Sequence, residues 1–81
     1  MSDAQTLCGH ILRCCLTEAI QLGILVECPD LKPYDRRLVI RMIHACAFTG
    51  LVDHWGVTSG KWYRTSRVGW IVLTVLEGES R

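Results

Sequence analysis

Gly50-Leu51-Val52-Asp53-His54-Trp55 and, after a five-residue link, Lys61-Trp62-Tyr63-Arg64-Thr65-Ser66-Arg67-Val68-Gly69 are the stretches that decide how this chain folds. Both runs are aromatic and β-prone. The link between them, Gly56-Val57-Thr58-Ser59-Gly60, has glycine at each end. That pattern predicts a hairpin in which Leu51–Trp55 pairs with Lys61–Thr65. Ser66 then stands where a helix cap belongs. Beyond it Val68, Trp70, Ile71, Leu73, Val75 and Leu76 fit a buried final helix or a third strand, since Val72 and Thr74 suit either. Helix is the favoured expectation.

Upstream of the hairpin, a helix is expected to start near Asp35, its candidate N-cap, and to run to about Phe48, where Thr49-Gly50 ends it. Leu38, Val39, Met42, Ile43 and Cys46 make its apolar face, and Arg37, Arg41 and His44, at i, i+4 and i+7, line up on another. A first helix is expected from about Asp3 to Leu22. There Ala4, Leu7, Cys8, Ile11, Cys15, Ala19 and Leu22 recur at three- and four-residue steps, with Ser2 or Asp3 as cap and Gly23 as stop. Between the two helices, Ile24, Leu25 and Val26 read as a short extended piece and loop, because Pro29 and Pro33 forbid a continuous helix.

The segment from Asp35 to Leu76 resembles the second half of a winged-helix domain. In bacterial winged-helix repressors a recognition helix is followed by a strand like Gly50-Leu51-Val52 and then by a wing. The returning strand ends in a tyrosine, followed by a threonine cap and a glycine inside the next helix, which the stretch Lys61-Trp62-Tyr63-Arg64-Thr65-Ser66-Arg67-Val68-Gly69 resembles. The resemblance implies an α+β, mostly helical fold, a single winged-helix-like domain over residues 1–81 with one β-hairpin wing. It also implies duplex DNA as the partner and transcriptional regulation as the role. The family packs two helices ahead of the recognition helix, whereas this sequence offers one long helix and a proline-bracketed loop.

Charge is distributed unevenly. The chain is +1 in all, which by itself is no argument for a nucleic-acid partner. Residues 32–67, however, carry Lys32, Arg36, Arg37, Arg41, Lys61, Arg64 and Arg67 against Asp35 and Asp53, a net +5. Residues 1–31 carry −3 and residues 68–81 carry −1. The positive charge therefore concentrates on the expected recognition helix and wing, where phosphate contacts would be made. Arg36, Arg37, Arg41, His44, Lys61, Arg64 and Arg67 are the candidate DNA-binding residues, and a solvated basic face would give the same tally.

Two tryptophans on the expected hairpin point elsewhere. A wing that only touches phosphate has no need of Trp55 and Trp62. Facing one side they would form an apolar patch for a protein partner; facing inward they would cap a thin core. The alternative function is therefore a protein-directed inhibitor or adaptor, of the anti-CRISPR or host-takeover type that viruses and other mobile elements carry. Trp70 is expected in the core or at a dimer interface, and the DNA-binding reading allows a homodimer through the first and last helices.

Other classes find little support. At 81 residues and 49% hydrophobic, the chain has enough apolar side chains for one thin core, which argues against disorder. Its longest apolar run is far short of the roughly 20 residues a bilayer span needs. Met1-Ser2-Asp3-Ala4 lacks the basic and apolar regions of a secretory signal, so the expected location is the cytoplasm. The five cysteines (Cys8, Cys14, Cys15, Cys28 and Cys46) are odd in number and show no C-x-x-C spacing, which predicts reduced core thiols. His10 and Cys14 lie one helical turn apart, and Cys28 or His44 would complete a metal set, but small buried cysteines are the commoner case. His10, His44 and His54 form no spaced acid–base pair with a carboxylate, and no phosphate-binding glycine loop occurs. The expectation is a binding protein, not an enzyme, with no cofactor, no metal and no membrane partner.

Overall fold

The computed structural model describes residues 3–56 and 60–79. Ser2 as a cap, and Val57, Thr58 and Ser59 of the expected link, lie outside the described residues. The elements run α1 (Asp3–Cys14), β1 (Ile20–Gln21), α2 (Leu22–Leu25), α3 (Arg36–Phe48), β2 (Val52–Trp55), β3 (Trp62–Thr65) and α4 (Arg67–Glu79). The sheet is antiparallel with β3 in the middle, in the order β1-β3-β2. The fold is α+β and mostly helical, with the expected β-hairpin as its wing. None of the described helices is long and apolar enough to cross a membrane.

The first helix is shorter than its apolar period predicts. It stops at Cys14 instead of continuing to Leu22, because β3 takes over its last carbonyls. The Thr65 hydroxyl donates to the Leu12 carbonyl at 2.6 Å, and the Thr65 N–H donates to the Cys15 carbonyl at 3.0 Å. Those carbonyls are the orphan acceptors every helix end must satisfy. The chain then turns and adds β1 to the sheet, Ile20 opposite Tyr63 and Gln21 opposite Trp62. Ala19 and Leu22 therefore leave the helical stripe, and Gly23 falls inside α2.

The Ile24-Leu25-Val26 stretch is not extended. It forms α2 and a chain of turns, with Val26 N–H donating to the Leu22 carbonyl at 3.1 Å and Leu31 N–H to the Cys28 carbonyl at 2.9 Å. The prolines break the helix as expected, yet turns deliver Leu25, Val26 and Leu31 to the core, where an extended strand would deliver alternate residues only. Between α1 and α3 the one helical element is this single turn.

Helix α3 begins with Asp35 at the N-cap position, whose carbonyl accepts from Val39 N–H at 3.0 Å; its side chain makes no capping bond. The helix ends in a Schellman turn. Leu51 N–H donates to the Cys46 carbonyl at 2.9 Å and Gly50 N–H to the Ala47 carbonyl at 3.3 Å. Gly50 sits at φ 82°, a backbone conformation that needs glycine. At the start of α4 the Ser66 hydroxyl accepts from Gly69 N–H at 3.1 Å, as an N-cap should.

The core joins Leu7, Ile11, Leu12 and Cys15 of the α1 region to Val39, Ile43 and Cys46 of α3, with Val52 and Tyr63 from the sheet. Ala4 is exposed, and Leu38 is 44% exposed, so neither belongs to it. The larger departure is α4. It is a helix, but of its large apolar residues only Leu73 is buried, while Val68, Trp70, Ile71 and Val75 stand more than half exposed. Trp70 is thus not a core residue.

Candidate nucleic-acid interface

Helix α3 contains no aspartate or glutamate, and its exposed side is basic. Arg37, Arg41 and His44 are all exposed and, at i, i+4 and i+7, share one stripe. The same stripe continues to Phe48 at i+11, which is 91% exposed. Sequence reasoning missed Phe48 because it entered only as the end of the helix. Its phase relative to Arg41, seven residues earlier, is the signal that places it outside. Arg36 lies off this stripe, with its guanidinium 3.6 Å from the Glu27 carboxylate. Lys32 approaches the same carboxylate at 3.9 Å, so Glu27 offsets part of the positive charge at this end.

The remaining basic candidates collect elsewhere. Arg64 lies on β3 opposite Asp53 of β2, an opposite-charge cross-strand pair. Arg64, Arg67, Asp53, Ser66 and Trp70 line an open cleft of about 340 Å³ between the hairpin and the start of α4. Lys61 is half-buried just ahead of β3, and its carbonyl accepts from Leu22 N–H at 3.3 Å. The structure therefore groups the predicted residues into two sets: the α3 stripe, and Arg64 with Arg67 at the cleft.

Trp55 and Trp62 stand directly opposite each other in the hairpin register, so their indoles leave the same face. They are 47% and 38% exposed. Of the two orientations the sequence allowed, the outward one is present. The other face of the hairpin carries Val52, Tyr63 and Thr65 into the core.

None of the five thiols is in a disulfide, and among the described residues no three histidine, cysteine or acidic side chains gather as a metal site. The Cys8 and Cys46 sulfurs lie 3.8 Å apart, joining α1 to α3. The Cys46 thiol hydrogen-bonds the Cys8 thiolate, which lowers Cys8 to about 7 and pushes Cys46 up. Burial, reinforced by Cys28, pushes Cys14 up to about 12. Thiolate is the nucleophile, so alkylation of Cys8 by iodoacetamide is expected to climb through about pH 7, with Cys14 and Cys46 protected until the chain unfolds. Peptide mapping after a short pulse at pH 8 checks this. Cys46 reacting as fast as Cys8 would contradict the assigned hydrogen bond.

The chain matches no protein-family model, no curated protein and no solved structure.

Proposed function

We propose that this chain is a DNA-binding regulator of transcription on a winged-helix-type scaffold, working in the cytoplasm as a binding protein and not as an enzyme. The observation that carries the reading is the α3 stripe: Arg37, Arg41 and His44, fully outward on a helix without a single carboxylate. The helix directly precedes the hairpin, the position a recognition helix holds in the family the sequence resembles. In a major groove Arg37 and Arg41 would fork onto guanine O6 and N7 or onto phosphates, and Phe48 would meet a thymine methyl. Arg64, Arg67 and Lys61 supply phosphate contacts from the hairpin side. Arg36 contributes less, since Glu27 already holds it.

The outward Trp55–Trp62 pair favours a second reading, a protein-directed inhibitor or adaptor from a mobile element, with the indoles as anchors. One titration separates the two. Fluorescence anisotropy with mixed-sequence duplex DNA is expected to show binding at low salt, weakened at moderate salt and retained there for a preferred sequence. Absence of binding at low salt, where phosphate attraction is strongest, would overturn the DNA reading. In that case Trp55→Ala or Trp62→Ala should abolish capture of a protein partner with the fold intact.

A further inference from the structure

Helix α4 presents more apolar surface than its own fold covers. Gly69 and Leu73 are buried, with Val72 and Leu76 half-buried beside them. On the opposite side Val68, Trp70, Ile71 and Val75 are 51–55% exposed. At 100° per residue these four, with Arg67 and Thr74, occupy the whole outward half of the helix. Apolar side chains thus flank Arg67 and Thr74 on this half, and exposed apolar surface of this extent on a small domain marks an interface.

The charges at its two ends identify the occupant. Arg67 opens α4, and Glu77 lies in its last turns. Each end carries the sign that the helix's own macrodipole disfavours, a cation at the positive N-terminus and an anion at the negative C-terminus. An antiparallel helix of the same sequence reverses both penalties, because each Arg67 then lies beside the partner's Glu77 at a negative helix end. A single register satisfies the pairs together. With the two-fold axis at the level of Val72, Arg67 meets the partner's Glu77 and Trp70 the partner's Thr74, while Val68 and the partner's Val75 pack side by side, offset by one residue's rise of about 1.5 Å. Glu77 already pairs with Arg13 of its own chain, so the contact would form a cluster of three charges.

We infer that the outward face of α4 is a homodimer interface, two copies packing antiparallel about a two-fold axis at Val72. The four apolar residues, each a little over half exposed, supply the apolar centre of such a contact. A standard interface takes roughly 800 Å² from each partner, its polar rim supplying the remainder. Such an interface is isologous, each residue pair occurring twice. The inference does not depend on the nucleic-acid reading, because it concerns the protein alone and is measured without DNA.

Sedimentation velocity of the full chain is expected to give twice the 9.2 kDa chain mass at tens of micromolar. Ile71→Glu and Val75→Glu, each at a side chain more than half exposed in the single copy, are expected to give folded monomers by circular dichroism. In Arg67→Lys, carbodiimide is expected to join position 67 of one copy to Glu77 of the other. That link cannot form within one helix, where ten residues span about 15 Å. The cross-link reads the register without disturbing the apolar face. A wild-type chain that stays monomeric to about 1 mM, a dimer that survives both glutamate substitutions, or cross-links that never bridge two chains would each overturn the inference.

Discussion

Gly69→Ala is expected to lower stability by at least about 3 kcal/mol, the largest effect of adding a methyl group at any of its glycines. A Cβ built on Gly69 would lie 1.9 Å from the Leu51 carbonyl oxygen, and 2.9 Å from both the Leu51 carbonyl carbon and Thr65 Cγ2. Overpacked cores typically lose about 1–3 kcal/mol when flexible side chains can yield, and more when they cannot. Here the obstacle is backbone. The Leu51 carbonyl is also held in place by Ser66 N–H at 3.0 Å, and Ser66 caps α4 through Gly69 N–H. Relieving the clash therefore means moving α4 off the hairpin and losing the cap. For a domain of this size about 3 kcal/mol corresponds to a fall of more than about 10 °C in Tm. Gly78→Ala is the internal control, since nothing lies within 4 Å of the Cβ it adds; it should leave stability unchanged or raise it by up to about 1 kcal/mol. Urea unfolding of the two variants within about 0.5 kcal/mol of each other would mean that α4 does not approach Leu51 this closely.

The second large effect concerns binding. The double variant Arg37→Ala, Arg41→Ala is expected to weaken the DNA complex by on the order of 10²-fold or more without unfolding the chain, because both side chains are exposed. If each arginine reads a base, each loss costs roughly 1–3 kcal/mol and relaxes the preference at one position. If each holds a phosphate, the slope of log K against log salt falls by about 0.9 per arginine, and every sequence weakens alike. Arg36→Ala should do less than either, since Glu27 already engages that guanidinium at 3.6 Å. A double variant that binds as tightly as wild type, with the same salt slope, would remove α3 from the interface.

How much of this was legible in the sequence depends on how local each cause is. The hairpin, the end of α3 and the start of α4 are set by nearby residues: Gly50 for the left-handed turn, Gly56 at the strand end, and Ser66 for the cap. All three were readable. The end of α1 was not, because Thr65, fifty residues away, takes the carbonyls of Leu12 and Cys15. Periodicity within α1 and the residues after it carries no trace of that partner. The two-residue β1 and the one-turn α2 are too short to show a period, and they depend on β3 for pairing and on the core for burial. For the candidate site, helical phase correctly grouped Arg37, Arg41 and His44. It did not separate them from Arg64 and Arg67, since net charge per segment does not report which surface each residue occupies. The outward half of α4 was misread for a related reason: an apolar residue count cannot distinguish a core from an uncovered interface.

The most direct test is an amide chemical-shift titration of labelled protein with a mixed-sequence duplex at low salt. The largest shifts are expected at Arg37, Arg41, His44 and Phe48, followed by Arg64 and Arg67, all diminishing as salt is raised. No shifts at low salt, or shifts confined to the Trp55 and Trp62 face while α3 stays unmoved, would contradict the assignment of α3 as the DNA-reading helix.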